Sequence, residues 1–216
     1  MIKITLLCTD IKHPIFPYLE NWVLNNTKKY DITLLNYVSE IKDEGGDILF
    51  LISCSEIVKE NIRKLYKYTL VLHASDLPEG RGWSPHIWDI LNGKDHITLS
   101  LLEAKDNVDT GDIWMKKKIL LQGNELFNEI NDLLFNAELD LIKWACDSFE
   151  TCLPEKQSSS MVSYHRRRLP KDSELDINKS IKDQFNLLRV CDPDRSPAFF
   201  IINGQKFKVR VDKDKS

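Results

Sequence analysis

An α/β fold with a mainly parallel, helix-covered sheet is predicted by three observations. Short runs rich in Ile, Leu and Val alternate with helical patterns through the first 150 residues. Runs such as Ile48-Leu49-Phe50-Leu51-Ile52 are apolar at every position, as in strands covered on both faces. Near Pro154 the composition turns polar and Ser-rich, and a hairpin pattern follows. The expectation is an α/β domain over 1–153 and a small α+β extension over 154–216 ending in a β-hairpin.

Each element has its own signal. Ile2 to Leu7 alternates as a strand, and Pro14 to Asn25 carries Ile15, Tyr18, Leu19, Trp22 and Val23 at helical spacing. Asp31 to Leu35 reads as a strand and Asp47 to Ile52 as a buried one. Ser55 stands where it could cap a helix through Leu65, with Ile57, Val58, Ile62 and Leu65 on one stripe. Thr69 to His73 is the next strand, and Pro85 to Leu91 a short helix stopped by Asn92-Gly93. Ile97 to Leu102 and Ile113 to Ile119 are further strands. From Asn124 a long helix is expected to bury Leu126, Phe127, Ile130, Leu133, Leu134, Ala137, Leu141 and Trp144. Glu155 to Ser160 is a linker, a helix is expected near Ser180 to Val190, and Asn203-Gly204 sits between Phe199-Phe200-Ile201-Ile202 and Phe207-Lys208-Val209.

Bulk properties exclude several classes. With 30 Lys and Arg against 33 Asp and Glu, the net charge of −3 argues against a nucleic-acid binder. No apolar run is long enough for a membrane span, and no signal peptide is read at the N-terminus. Five cysteines (8, 54, 146, 152 and 191) are scattered without a C-x-x-C, so reduced thiols and a cytoplasmic setting are expected, without zinc or disulfides.

The chemistry-bearing segments are His73-x-Ser75-x-Leu77-Pro78-x-x-Arg81-Gly82 and Asp109-Thr110-Gly111-Asp112. Alone, a strand histidine is commonly structural, and Asp-Thr-Gly-Asp is an ordinary turn. A His ending one strand and an Asp before a later one can converge at one sheet edge, giving a titratable imidazole with an acidic partner.

This double motif resembles the folate-dependent formyltransferases, whose pattern is Asn-x-His-x-Ser-Leu-Leu-Pro-x-x-Arg-Gly with a later Asp-x-Gly-Asp. Val71 stands where the family has its Asn. The tail is similar to sugar-directed members through Arg167, Arg168, Pro170, Asp172, Leu175, Asp176, Asn186, Leu187, Leu188, Arg189, Pro197, Ala198, Phe199 and Gly204. The resemblance implies a Rossmann-like formyltransferase fold and 10-formyltetrahydrofolate as co-substrate. It also implies a pterin slot between Cys54-Ser55-Glu56-Ile57 and Ala104-Lys105-Asp106, with contacts mostly through the backbone.

Formyl transfer to an amine passes through a tetrahedral intermediate and needs a proton acceptor and an oxyanion donor. His73 is expected as proton acceptor or oxyanion partner. Asp109 is expected to hold His73 or to relay protons. Val71 cannot donate to an oxyanion, which leaves the Ser75 hydroxyl, a charged His73 or a backbone N–H. Arg81 reads equally as a solvated loop residue or as a grip on a substrate phosphate or carboxylate. Trp83 could shape the amine pocket or simply pack. Arg166-Arg167-Arg168 is a solvated face or meets an anionic substrate.

The resemblance points to the amine of a nucleotide-activated amino sugar as acceptor, with HASDLPEGRGWSPHIW similar to the bacterial surface-sugar branch that includes pseudaminic-type acids on a cytidine nucleotide. A transfer-RNA-directed enzyme is expected to be longer and more basic. The alternatives are a glycinamide ribonucleotide-type formyltransferase, a silent folate or nucleotide-sugar binder, and a hydrolase releasing formate. A homodimer is compatible with the sequence, which reads neither the oligomeric state nor the nucleotide base.

Overall fold

The computed structural model describes residues 1–214, so Lys215 and Ser216, the end of the expected 154–216 extension, lie outside the described residues. The chain runs β1 (Lys3–Leu7), α1 (Phe16–Asn26), β2 (Asp31–Leu35), a 3₁₀ turn (Val38–Glu40), β3 (Gly46–Leu51), α2 (Glu60–Arg63) and β4 (Tyr66–His73). It continues with β5 (Arg81–Gly82), α3 (Pro85–Leu91), β6 (His96–Glu103), β7 (Ile113–Leu120) and α4 (Phe127–Ser148). The remainder is β8 (Tyr164–His165), 3₁₀ turns at Pro170–Ser173 and Lys182–Gln184, α5 (Phe185–Val190), β9 (Ala198–Ile202) and β10 (Gln205–Val209).

One six-stranded sheet, ordered β2-β1-β3-β4-β6-β7, forms the frame. Strands β1 to β4 pair in parallel. β6 runs antiparallel to β4, and β7 antiparallel to β6. The predicted mainly parallel, helix-covered sheet is the observed one. It is apolar on both faces because both are covered. Ile4, Leu6, Ile48, Phe50, Leu70 and Leu72 meet α1, α3 and α4 in the main core. Leu7, Leu49, Leu51, Ile41, Val58 and Tyr66 form a smaller core on the other face, and Val71, Cys54 and Ala104 pack against it.

Asn203 and Gly204 turn the β9–β10 hairpin with φ of 51° and 78°, the paired positive values that an Asn-Gly hairpin turn requires. The tail is tied to the main unit by a buried ion pair, Arg189 Nη1 on Glu125 Oε2 at 3.2 Å. Arg189 also donates to the Glu125 carbonyl.

Three expectations need correction. The Ser55–Leu65 helix shrinks to Glu60–Arg63. Ser55 does not cap it: its N–H donates to Thr9 Oγ1 at 2.8 Å, and the Val58 carbonyl accepts from the Arg63 side chain. α4 opens at Phe127, not Asn124, because Glu129 reaches back to the Leu126 N–H at 2.8 Å. The buried stripe of α4 also excludes Leu133, which is exposed, and includes Phe135, which packs edge-on to Tyr18.

That rotation puts Glu138 in the core, where its Oε2 makes no hydrogen bond among the described residues and burial pushes the carboxyl up to about 8. The folded value lies above the unfolded one, so the stability this group contributes is full below about pH 4.5 and is lost as pH rises through about 8. The slope for one proton is at most about 1.4 kcal/mol per pH unit. Glu138→Gln is expected to remove this alkaline loss, so that its melting temperature exceeds that of the wild type at pH 8.5 and not at pH 5. Parallel melting-temperature profiles for the two proteins would refute the assignment.

Candidate active site

The site is built where β4 ends. Thr69, Val71 and His73 share one face by strand alternation. The segment after β6 starts beside them, with the Ala104 N–H on the Thr69 carbonyl, and brings Asp109 to His73. His73 Nδ1 lies 3.5 Å from Asp109 Oδ1. Asp109 Oδ2 accepts the Gly82 N–H at 2.9 Å. His73 Nε2 lies 3.0 Å from the Gly80 carbonyl. A carbonyl can only accept, so Nε2 carries a proton and Nδ1 is the nitrogen that faces the carboxylate. The two side chains are only 9% and 6% exposed, which shields their interaction from solvent. At 3.5 Å the pair is within charge reach yet longer than a formed hydrogen bond, a common state of acid–base pairs before substrate tightens them.

Local backbone chemistry makes this geometry available. Asp109 sits at φ 58°, a left-handed position that Asp tolerates better than bulkier residues. A Cβ on Gly111 would fall 1.7 Å from the Glu103 carbonyl oxygen, so the return toward β7 needs glycine. Gly82, at φ 97°, is equally constrained: a Cβ there would lie 2.4 Å from the His165 carbonyl oxygen, because β5 pairs in parallel with β8.

The sequence reading missed Gln157. Its Nε2 donates to the Asp109 carbonyl at 2.9 Å and the Gly111 carbonyl at 2.8 Å. Its Oε1 accepts from Arg81 Nη2 at 2.7 Å. One amide therefore joins the Asp loop to the His loop. Nothing in the Ser-rich stretch around it signals this.

The other expected residues divide. Arg81 is buried and not solvated: besides Gln157 it donates to the Tyr164 hydroxyl at 3.2 Å. Ser75 is buried, and its hydroxyl makes no hydrogen bond among the described residues. Trp83 stays 48% exposed under the Arg167 guanidinium, which lies 5.0 Å from its ring. Arg166 forks onto Asp172 at 2.6 and 2.7 Å, and Arg168 donates to the Asp172 carbonyl and Ser173. The two expected pterin loops lie on the Val71 side of the sheet. Cys54 and Ala104 both pack against the smaller core, and Arg63 links the Val58 carbonyl to Asp106 at 2.5 Å. Ser55, Glu56, Ile57 and Lys105 are exposed around them.

His86, on α3, is near His73. Burial, with His13 and His73 nearby, pushes its imidazole down to about 4, so it stays neutral. Among the described residues no cluster of His, Cys, Asp and Glu could hold a metal ion, and all five cysteines are free thiols. No helix among them is long and apolar enough to cross a membrane.

A covered α/β sheet with a shielded imidazole–carboxylate pair at a strand end is equipped to move protons during group transfer. The comparisons specify the family: a formyl transferase profile matches residues 13–143, and the chain belongs to that family. It is 27% identical over 176 residues to a methionyl-tRNA formyltransferase of Lachnospira eligens, covering 80% of this chain and 56% of that protein. The chain thus spans about half the length of the curated relatives it matches. A methionyl-tRNA formyltransferase structure from Clostridium thermocellum superposes with a TM-score of 0.84 at 22% identity, covering 100% of this chain and 94% of that one. A sugar N-formyltransferase from a Shewanella species gives 0.74 at 16%, covering 100% and 99%. HypX from Aquifex aeolicus, solved with tetrahydrofolic acid, gives 0.78 at 15%, covering 97% and 37%.

Gln157→Ala is expected to lower turnover by roughly 10–100-fold, as misplacement of a reacting pair by about 1 Å does. Stability should fall by only about 1–3 kcal/mol for the polar groups left unpaired. Full turnover in this variant would mean that Asp109 is held without Gln157.

Proposed function

We propose that the chain transfers a formyl group from 10-formyltetrahydrofolate to the primary amine of a nucleotide-linked amino sugar. The observation that carries this reading is the shielded His73–Asp109 pair, fixed by the Gly80 carbonyl and the Gly82 N–H. In the reaction the amine nitrogen bonds to the formyl carbon, and the bond from that carbon to the folate nitrogen breaks. Asp109 takes the proton that the amine loses and passes it to His73 Nδ1. His73, then carrying protons on both nitrogens, turns its Nε2–H from the Gly80 carbonyl to the developing oxyanion and returns that proton to the departing folate nitrogen. One proton is taken and one returned, so no net proton is consumed. Cys54-Ser55-Glu56-Ile57 and Ala104-Lys105-Asp106 would hold the pterin, mostly through backbone groups. Ser75 is the further candidate donor to the oxyanion.

The sugar-type tail and the near-neutral charge favour a small acceptor. The 27% identity to a methionyl-tRNA formyltransferase favours a second reading, the amine of an aminoacylated tRNA. The test is incubation with 10-formyltetrahydrofolate and, separately, CMP-, UDP- and dTDP-linked amino sugars and methionyl-tRNA. Tetrahydrofolate release and acceptor mass are followed. Transfer to a nucleotide sugar is the expected result, transfer only to the tRNA establishes the second reading, and formate without acceptor indicates hydrolysis. His73→Ala is expected to lower the rate by ~10²–10⁴-fold while remaining folded.

Val71 packs against the smaller core, in register with Leu51 and Leu102. An amide there would lose apolar contact and require new partners. Val71→Asn is therefore expected to destabilise the fold by roughly 1–3 kcal/mol and not to raise kcat. A tenfold gain in kcat at unchanged melting temperature would instead mean that Val71 marks a site lacking its donor.

A further inference from the structure

The β5–β8 ribbon carries a second constellation that formyl transfer itself does not use. Two exposed aromatic rings each lie against an arginine. Arg167 sits 5.0 Å from the Trp83 ring centre, and Arg81 sits 5.9 Å from that of Tyr164. Trp83 and Tyr164 nevertheless remain 48% and 68% exposed, so much of each ring is open. Neither arginine has a carboxylate within 4.0 Å among the described residues, whereas Arg166 is neutralised by Asp172. Among the described residues Arg81 is buried with only neutral partners, and its Nε makes no hydrogen bond. A buried guanidinium without a counter-charge is costly, and an anion placed beside it offsets that cost.

The position ties this surface to the chemistry. Gly82 donates its N–H to Asp109, and Trp83 is the next residue, with its Cα about 3.8 Å further along. Arg81 reaches the Asp109 loop through Gln157. An amine delivered to His73 and Asp109 would extend the rest of its molecule over these rings. Open aromatic faces stack planar heterocycles, and guanidinium forks match phosphate oxygens.

We infer that Trp83, Tyr164 and Arg167 form the acceptor's recognition subsite, Trp83 stacking a nucleobase and Arg167 meeting the phosphates of a nucleoside diphosphate, with the buried charge of Arg81 adding its attraction from within the ribbon. The inference rests on the nucleotide-linked reading above and names the residues that select it. Trp88, stacked on His165 under Arg166, supports the ribbon from below and is not part of the subsite.

The experiment is calorimetric titration of the full chain with CDP, UDP and dTDP, and with a short RNA hairpin ending in CCA, with tetrahydrofolate as a control ligand. At least one nucleoside diphosphate is expected to bind. Trp83→Ala and Arg167→Ala should each weaken it by about tenfold or more, with Trp83→Phe recovering part of the loss and tetrahydrofolate binding unchanged. Equal nucleotide affinity in wild type and both variants would overturn the proposal. So would the absence of any nucleotide binding, or binding of the RNA hairpin alone. The formyl-transfer assay separates the two readings: transfer to a nucleotide sugar with Trp83 and Arg167 dispensable sinks the subsite alone. Nucleotide binding that needs both residues, without transfer, sinks the enzymatic reading alone.

Discussion

The Asp109 carboxylate is the point on which the site turns. One oxygen faces the imidazole at the end of β4, and the other closes on the Gly82 N–H. Two segments far apart in sequence are thereby set against each other by one side chain. The arrangement tolerates few substitutes along the backbone. Asp109 is left-handed, Gly111 passes against the Glu103 carbonyl, and Gly82 passes against that of His165. Gln157 adds the remaining constraint by holding the carbonyls on either side of the turn. A carboxylate so fixed needs little reorganisation when charge develops beside it, which is the physical basis of electrostatic catalysis.

The sheet supplies the rigidity that this requires. Its main core, under α1, α3 and α4, is large and closely packed, and it fixes the strand end that carries His73. The opposite face is covered more sparsely, by a smaller core and by the segments after β3 and β6. The buried Glu125–Arg189 pair then holds the C-terminal helix against the start of α4.

Much of the frame was legible because its signals are local. Apolar runs gave β2 and α3 to the residue, and Asn203-Gly204 gave the hairpin turn. The convergence of His73 and Asp109 was also readable, since a motif pair with fixed internal spacing constrains backbone geometry as well as side chains. What could not be read depends on distant partners. Ser55 resembles a helix cap until Thr9, 46 residues away in sequence, captures it. Leu133 and Phe135 cannot be ranked by periodicity alone, because Tyr18 decides which of them is covered. Arg81, between two glycines, reads equally as solvated or as a grip on substrate, and only the return of Gln157 and Tyr164 buries it.

The protons impose a last constraint on the proposed chemistry. The Gly80 carbonyl keeps a proton on His73 Nε2, so that nitrogen is not free to act as a base while this contact stands. Proton acceptance must then fall to the Asp109 side, through the carboxylate or through Nδ1. Nδ1 is the nitrogen that meets the carboxylate, shielded from solvent, so a proton taken by Asp109 has a path to it. Once Nδ1 receives that proton, the Nε2–H becomes a donor to a developing oxyanion on leaving the Gly80 carbonyl. Val71, on the same face and about 7 Å back along the strand, cannot supply one. The substitution at position 71 and the proton on Nε2 therefore point the same way: in the proposed reaction His73 carries the electrostatic role and Asp109 the basic one.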